Sequence, residues 1–167
     1  MNPKILIAYS SRTGNTEKVA KAIYEVLSAR SDIQKLPEVN CEKYDTVVMG
    51  YWVDKGTANE ESLNFIKSLS GKKVVLFGTL GAGDYNGYYQ KVREAVEKEL
   101  PADCTLLGHK LFRATSIMLH RLRKQHAENP DDLEIKKRLE DYEKNKHRPD
   151  ENDLKEAQEF VLSILGK

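Results

Sequence analysis

Tyr9-Ser10-Ser11-Arg12-Thr13-Gly14-Asn15-Thr16-Glu17-Lys18-Val19-Ala20 is the stretch on which the fold turns. Ahead of it, Lys4 to Tyr9 (KILIAY) is a continuous apolar run, the pattern of a strand buried on both faces of a parallel sheet. Behind it the period changes, and Val19, Ala20, Ile23, Val26 and Leu27 form a helical stripe. The junction holds hydroxyl and amide side chains, one glycine, and no carboxylate before Glu17. Unpaired amides at a helix start offer hydrogen-bond donors and the positive end of the helix dipole, so the loop has the chemistry of an anion site. No lysine follows a GxxxxG spacing and no GxGxxG occurs, which disfavours a P-loop and a dinucleotide pyrophosphate loop. The plainer alternative is that Asn15 or Thr16 only caps the helix.

The strand signature recurs outward from this point. Asp45 to Tyr51, Lys73 to Gly78 and Cys104 to Phe112 repeat it, and Ile33 to Leu36 is a weaker instance. Between them lie helical stripes: Leu63, Phe65, Ile66 and Leu69, then Val92, Ala95, Val96 and Leu100. A closing stripe of Leu154, Ala157, Val161, Ile164 and Leu165 stops at Gly166. This alternation predicts a doubly wound five-stranded parallel α/β sheet with helices on both faces, and such sheets place ligands outside the carboxyl ends of the strands. Two further loops therefore bear on function. Residues 50–59 hold Trp52, the single tryptophan, which stands either as a stacking aromatic or as a core residue. Residues 78–89 combine glycines that admit close backbone approach with Tyr85, Tyr88 and Tyr89.

Charge divides the chain. Residues 1–110 hold 29 Asp, Glu, Lys and Arg and residues 111–167 hold 24, about 26% against 42%, so the second region has a different job from the first. From Arg121 to Glu159, 22 of 39 residues are charged, and Pro130 and Pro149 divide this stretch into expected helices at about 115–127 and 131–146. The first carries apolar Ile117, Met118, Leu119 and Leu122, the second only Leu133, Ile135, Leu139 and Tyr142. We expect one domain over 1–167 with a charged helical insertion at 113–150. With 27 Lys+Arg against 26 Asp+Glu, general nucleic-acid binding is disfavoured. No run of 18 apolar residues and no signal-peptide pattern occurs, which predicts a cytoplasmic chain without membrane association. Cys41 and Cys104 lack a CxxC or Cys/His cluster, so no disulfide scaffold or metal site is expected.

The string YSSRTGNTEKVA resembles the phosphate-binding loop of flavodoxins, Ser/Thr-x-Thr-Gly-x-Thr after the first strand. The resemblance covers residues 1 to about 110 and the last helix. It implies strand order 2-1-3-4-5 and a non-covalently bound flavin mononucleotide (FMN). Carried over position by position, it has Ser11, Thr13, Asn15 and Thr16 hold phosphate oxygens, with Arg12 and Gly14 contributing backbone. Trp52, flanked by Val53 and Asp54, would meet one face of the flavin ring. Thr79, Leu80, Gly81, Gly83, Asp84 and Tyr85 would wrap the other, with Tyr85 stacking and Tyr88 in reserve. No nucleophile, triad or metal is required, since the cofactor carries the chemistry. The implied function is electron transfer to or from a partner oxidoreductase, and the alternative is an FMN-dependent NAD(P)H reductase of a small organic acceptor. The loop Gly-Tyr-Trp-Val-Asp-Lys-Gly-Thr is similar to that of a divergent bacterial branch of accessory proteins, which points to a flavin-dependent reductase, such as bilirubin reductase, as partner.

Three departures from the family bear on mechanism. Val53 stands where many flavodoxins have a glycine whose peptide turns over on reduction, and a β-branched residue resists positive φ, so weaker semiquinone stabilisation is expected. The acidity usual in the family is missing. The insertion gathers Arg113, His120, Arg121, Arg123, Lys124 and His126, either as a docking surface or as a solvated hairpin covering the sheet edge.

Overall fold

The strands pair side by side because each apolar run must bury both of its faces. A computed structural model describes residues 4–114 and 118–167. Its strands are β1 (Ile5–Tyr9), β2 (Ser31–Lys35), β3 (Thr46–Asp54), β4 (Thr57–Ala58), β5 (Lys73–Leu80) and β6 (Thr105–Arg113). Its helices are α1 (Asn15–Leu27), α2 (Glu60–Ser68), α3 (Tyr88–Glu97), α4 (Met118–Glu128), α5 (Leu133–Lys144) and α6 (Glu151–Leu165). The long strands run parallel in the order β2-β1-β3-β5-β6, the expected 2-1-3-4-5 arrangement, and the two-residue β4 adds antiparallel to the end of β3. The expected helix at 115–127 is described from Met118, and its start and Ile117 lie outside the described residues.

Alternation along each strand sends neighbours to opposite layers. Ile5 and Ile7 of β1, Val48 of β3 and Val75 and Phe77 of β5 pack under α1 and α6 with Val19, Ile23, Ala157 and Val161. Leu6, Ala8, Val47, Met49, Val74 and Leu76 pack on the other face with Ile66 of α2 and Val92 and Val96 of α3. Each fully buried aliphatic side chain contributes about 1.5–3 kcal/mol relative to exposure, so the two layers dominate the stability.

Two cross-strand pairs bring β3 and β5 close just before the site. Gly50 lies opposite Phe77, and Tyr51 opposite Gly78. A Cβ on Gly50 would sit 2.2 Å from the Phe77 ring, and one on Gly78 would sit 2.5 Å from the Tyr51 ring. Each aromatic thus lies across the glycine facing it, and the next pair in register is Trp52 with Thr79.

The charged segment is built differently from the sheet. α4 buries Leu119 and Leu122, whereas α5 has no fully buried residue and is held by polar contacts. The return to α6 is fixed by Arg148, which donates to both carboxylate oxygens of buried Asp153 at 2.7 and 3.0 Å, beside a capping box of Asp150 and Asp153.

His109, an acid-base or metal candidate by type, is placed by the fold inside a closed polar chain. Its Nδ1 donates to Glu97 Oε1 at 3.1 Å, leaving Nε2 to accept from the Tyr51 hydroxyl at 2.5 Å. Among the described residues no group of His, Cys, Asp and Glu could hold a metal ion. Burial pulls the imidazole down from 6.5 to about 4, against the opposing hydrogen bond from Glu97, and burial pushes the Tyr51 phenol up. The depressed value means the unfolded chain binds this proton more tightly than the folded one. The His109 contribution is therefore complete above about pH 6.5 and is lost as pH falls toward 4, by about 3 kcal/mol. Urea unfolding across that window should show His109→Gln with a shallower pH dependence than the parent chain. An unchanged slope would place the titration elsewhere.

Candidate functional site

The loop after β1 organises itself. Gly14 opens α1 in the left-handed conformation, φ 94°, and no side chain closes the helix start. A Cβ at Gly14 would meet nothing within 4 Å, so backbone conformation rather than space calls for glycine there. Ser11 Oγ accepts from the Gly14 N–H at 3.1 Å and Thr13 Oγ1 accepts from the Asn15 side-chain amide at 3.2 Å. Thr16 is buried, with its hydroxyl 2.8 Å from that of Thr79, which ties this loop to the end of β5. Both Ser11 and Thr13 keep a hydroxyl proton to donate.

The loop after β3 is a hairpin. Val53 pairs with Ala58 and Asp54 with Thr57, and the chain reverses at Lys55 (φ 53°) and Gly56 (φ 80°). Two positive φ values in a two-residue connection match the turn whose twist suits a hairpin. The reversal is thus at Lys55–Gly56 and not at Val53, which lies in extended pairing. The expectation built on Val53 resisting positive φ does not bear on this turn, whose positive-φ positions are Lys55 and Gly56.

Asn59, which sequence reading passed over, pins the tryptophan. Its Oδ1 accepts from the Trp52 N–H at 3.3 Å, its own N–H donates to the Trp52 carbonyl at 2.9 Å, and its Nδ2 donates to Ser10 at 3.1 Å. An asparagine at the residue before α2 reads as an ordinary cap, yet no cap hydrogen bond forms from its side chain. Trp52 is half-buried, and the Arg12 guanidinium lies over its ring, 5.0 Å from the centroid.

The loop after β5 is steered by Arg113, at the end of β6. This side chain is only 6% exposed. Its Nε donates to the Gly81 carbonyl at 2.6 Å, its Nη2 donates to Asp141 at 2.7 Å, and its guanidinium lies 5.2 Å from the Tyr142 ring centroid. Arg113 therefore belongs to the framework and not to a docking surface. Burial works to raise the Asp141 carboxyl, but Arg113, with the Tyr85 hydroxyl beside it, holds it below the usual carboxylate range. Arg123 of the same expected cluster pairs with Glu143 at 2.6 Å.

These elements enclose a cavity of about 420 Å³. Of the fifteen residues singled out by sequence, it gathers Arg12, Thr13, Asn15, Trp52, Val53, Asp54, Thr79, Leu80 and Gly81, and it adds Lys55, Ala114, Met118 and Arg121. Ser11, Gly14 and Thr16 flank the lining in sequence without being part of it, and only Thr16 is buried. Tyr85 and Gly83 do not reach the cavity, and they line a separate cleft against α5. Asp84 accepts from the Tyr89 N–H at 3.0 Å, the Tyr89 hydroxyl donates to the Ala82 carbonyl, and Tyr85 shares its cleft with Asp141 of α5. Asp84 is thus a loop cap, and Tyr85, expected to stack on a ligand beside Trp52, faces away from it. Met118 and Arg121, expected only as an apolar and a basic residue of the charged segment, come to the cavity through the way α4 docks.

The residues fit a flavin nucleotide. An open helix start with free hydroxyl protons suits a phosphate, a half-buried indole suits a flat ring, and the volume lies in the about 300–1,000 Å³ range of small-molecule and cofactor sites. Three cations, Arg12, Lys55 and Arg121, face the cavity with one carboxylate, Asp54.

A doubly wound sheet carrying an anion-receptive loop after its first strand and an aromatic hairpin after its third defines a mononucleotide-binding protein. The chain belongs to the flavodoxin-domain family, whose cofactor is FMN and whose model matches residues 6–162. It is 34% identical to the flavodoxin-like domain-containing protein BilS of Clostridioides difficile over 98% of this chain and 97% of that one. It is 32% identical to flavodoxin 1 of Escherichia coli over 62% and 65% respectively. Among solved structures, a Bacteroides uniformis protein described as a flavoprotein superposes with a TM-score of 0.54 at 19% identity, covering 77% of this chain and 100% of its own. No helix among the described residues is long and apolar enough to cross a membrane.

Removing the Arg113 fork leaves the Asp141 carboxylate and the Gly81 carbonyl without their partner. Arg113→Gln should destabilise the chain by about 2 kcal/mol, less than the about 3–5 kcal/mol of a fully buried pair because Asp141 is 25% exposed. Hydrogen exchange should show α5 losing protection before the sheet does; equal loss in both would mean α5 is held by something other than Arg113.

Proposed function

We propose that the chain binds one FMN in the cavity between the loops after β1, β3 and β5 and passes electrons to or from a partner oxidoreductase. The observation that carries this reading is the open start of α1, with the Ser11 and Thr13 hydroxyls beside it, on the same cavity as Trp52. FMN supplies one- and two-electron redox chemistry when bound.

The residues have distinct tasks in this reading. The amides opening α1, with Thr13 and Asn15 at the cavity wall, hold the phosphate. Trp52 provides the stacking face, and Asn59 fixes its backbone so that little freedom is lost on binding. Arg12 already rests on the Trp52 ring, so it gives way to the flavin or remains on the opposite face of the indole. Leu80, Ala114 and Met118 exclude water from the ring. Arg12, Lys55 and Arg121 favour the dianionic phosphate and a negatively charged reduced ring over their neutral counterparts.

Flavin fluorescence quenching gives the test. The parent chain should quench added FMN at one equivalent. Trp52→Ala should weaken binding about 10- to 100-fold, and Thr13→Ala and Asn15→Ala about 10-fold each, from the loss of stacking area and of hydrogen bonds to a charged group. A chain that leaves FMN fluorescence unchanged would end this reading.

A further inference from the structure

The cleft that takes Tyr85 away from the flavin cavity has its own composition. It holds about 420 Å³ between the loop after β5 and α5, lined by Ala82, Gly83, Tyr85, Asn86, Glu134, Lys137, Arg138, Asp141 and Tyr142. Tyr142 is fixed from behind by the Arg113 guanidinium, and Tyr85 lines the same cleft beside Asp141. Yet Tyr85 remains 59% exposed, the largest aromatic face open to solvent among the described residues. Asp141 is already neutralised by Arg113. Among the described residues Lys137 and Arg138 stand exposed on α5 with no ion pair, leaving two cations in the cleft against the one uncommitted carboxylate of its lining, Glu134.

We infer that this cleft is a second ligand site, for a planar aromatic anion held against the tyrosine faces with its charged group on Lys137 and Arg138. Two observations set it apart from a surface crevice. Arg113, buried at its base, holds one wall through Tyr142 and Asp141 and the other through Gly81. The loop that forms its floor is shared: Gly81 lines the flavin cavity and the next two residues, Ala82 and Gly83, line the cleft. A ligand here lies one loop away from the FMN position. Its redox role, which rests on the FMN reading, is that of the small acceptor: two electrons and two protons pass from dihydroflavin to a quinone-type ligand, giving oxidised flavin and the hydroquinone. The binding step stands without that reading.

Naphthoquinone sulfonate is a planar aromatic anion that can act as both ligand and acceptor, and unsubstituted naphthoquinone is its neutral counterpart. Calorimetric titration of the full chain, with and without FMN, should show one saturable site for the sulfonate in both cases and at least tenfold weaker binding of the neutral quinone. The double variant Lys137→Gln, Arg138→Gln, two exposed positions whose far-UV circular dichroism should match the parent, should lose at least tenfold in affinity for the sulfonate. Tyr142→Leu should lose affinity for both quinones. In stopped flow, the reduced FMN-loaded chain should be reoxidised with a saturable dependence on the sulfonate. The double variant should raise the half-saturating concentration and leave the limiting rate in place. Unaltered affinity in the double variant, displacement of the sulfonate by FMN, or equal binding of the neutral quinone would each overturn the site. Sulfonate binding with a linear, unsaturable reoxidation rate would overturn the acceptor role alone, and a failure of FMN to bind would show in the quenching titration of the chain with FMN, apart from either.

Discussion

The guanidinium of Arg113 is the constraint on which the arrangement around the cavity depends. It lies at the end of β6, where the sheet's hydrogen-bonded framework stops, and makes contacts in two directions: back to the Gly81 carbonyl on the loop after β5, and outward to Asp141 and Tyr142 of α5. Lysine could supply the charge but not these contacts together, since only a planar fork reaches a carbonyl and a carboxylate while presenting a face to an aromatic ring. α5 offers no fully buried side chain, so hydrophobic burial alone holds it weakly. A charge-assisted, part-buried pair adds to that hold, because the alternative leaves a desolvated cation under the sheet edge.

What the sequence made legible follows from the range of the interactions. The order of the long strands, the two-layer core and the placement of the loops after β1 and β3 rest on continuous apolar runs and on one sharp change of period, which are local features. Thr13, Asn15 and Trp52 come to one cavity because each lies within a few residues of a strand's carboxyl end, a position fixed once the sheet is fixed. Tyr85 was misread for a complementary reason. It lies in a loop long enough to turn either way, and the cleft it lines is completed by Asp141, 56 positions later in a helix that local pattern could only place approximately. Arg113 was read as one of a surface cluster because charge alone does not reveal whether a partner waits across the fold.

The hairpin after β3 shows how chemistry and register separate. Val53 occupies the position that alignment to a motif selects, and its β-branched side chain suits extended pairing opposite Ala58. The left-handed conformations fall two and three residues later, on Lys55 and Gly56. Conformational freedom in this loop therefore belongs to the Lys55–Gly56 peptide at the cavity rim, while the peptides next to Trp52 are held by Asn59 and the sheet. Trp52, held on both backbone groups by Asn59, thus lies beside a turn whose positive-φ residues are separate from it.

The balanced charge of the chain conceals a local imbalance. Some charges of the segment after β6 are paired within the fold: Asp141 with Arg113 of β6, Arg123 with Glu143, Arg148 with Asp153, and Glu156 of α6 with Lys110 of β6. At the cavity the count is three cations to one carboxylate, an excess of two, on a chain whose formal total is +1, so the remainder carries a net of −1. A monopole of that size exerts little pull at distance, and charges beyond about 8 Å are screened at physiological ionic strength. Whatever approaches this cavity senses its sign only near contact, where low-dielectric walls strengthen the field. The field around Arg12, Lys55 and Arg121 is consequently short-ranged and set by local geometry, in contrast to that of proteins whose whole surface bears one sign.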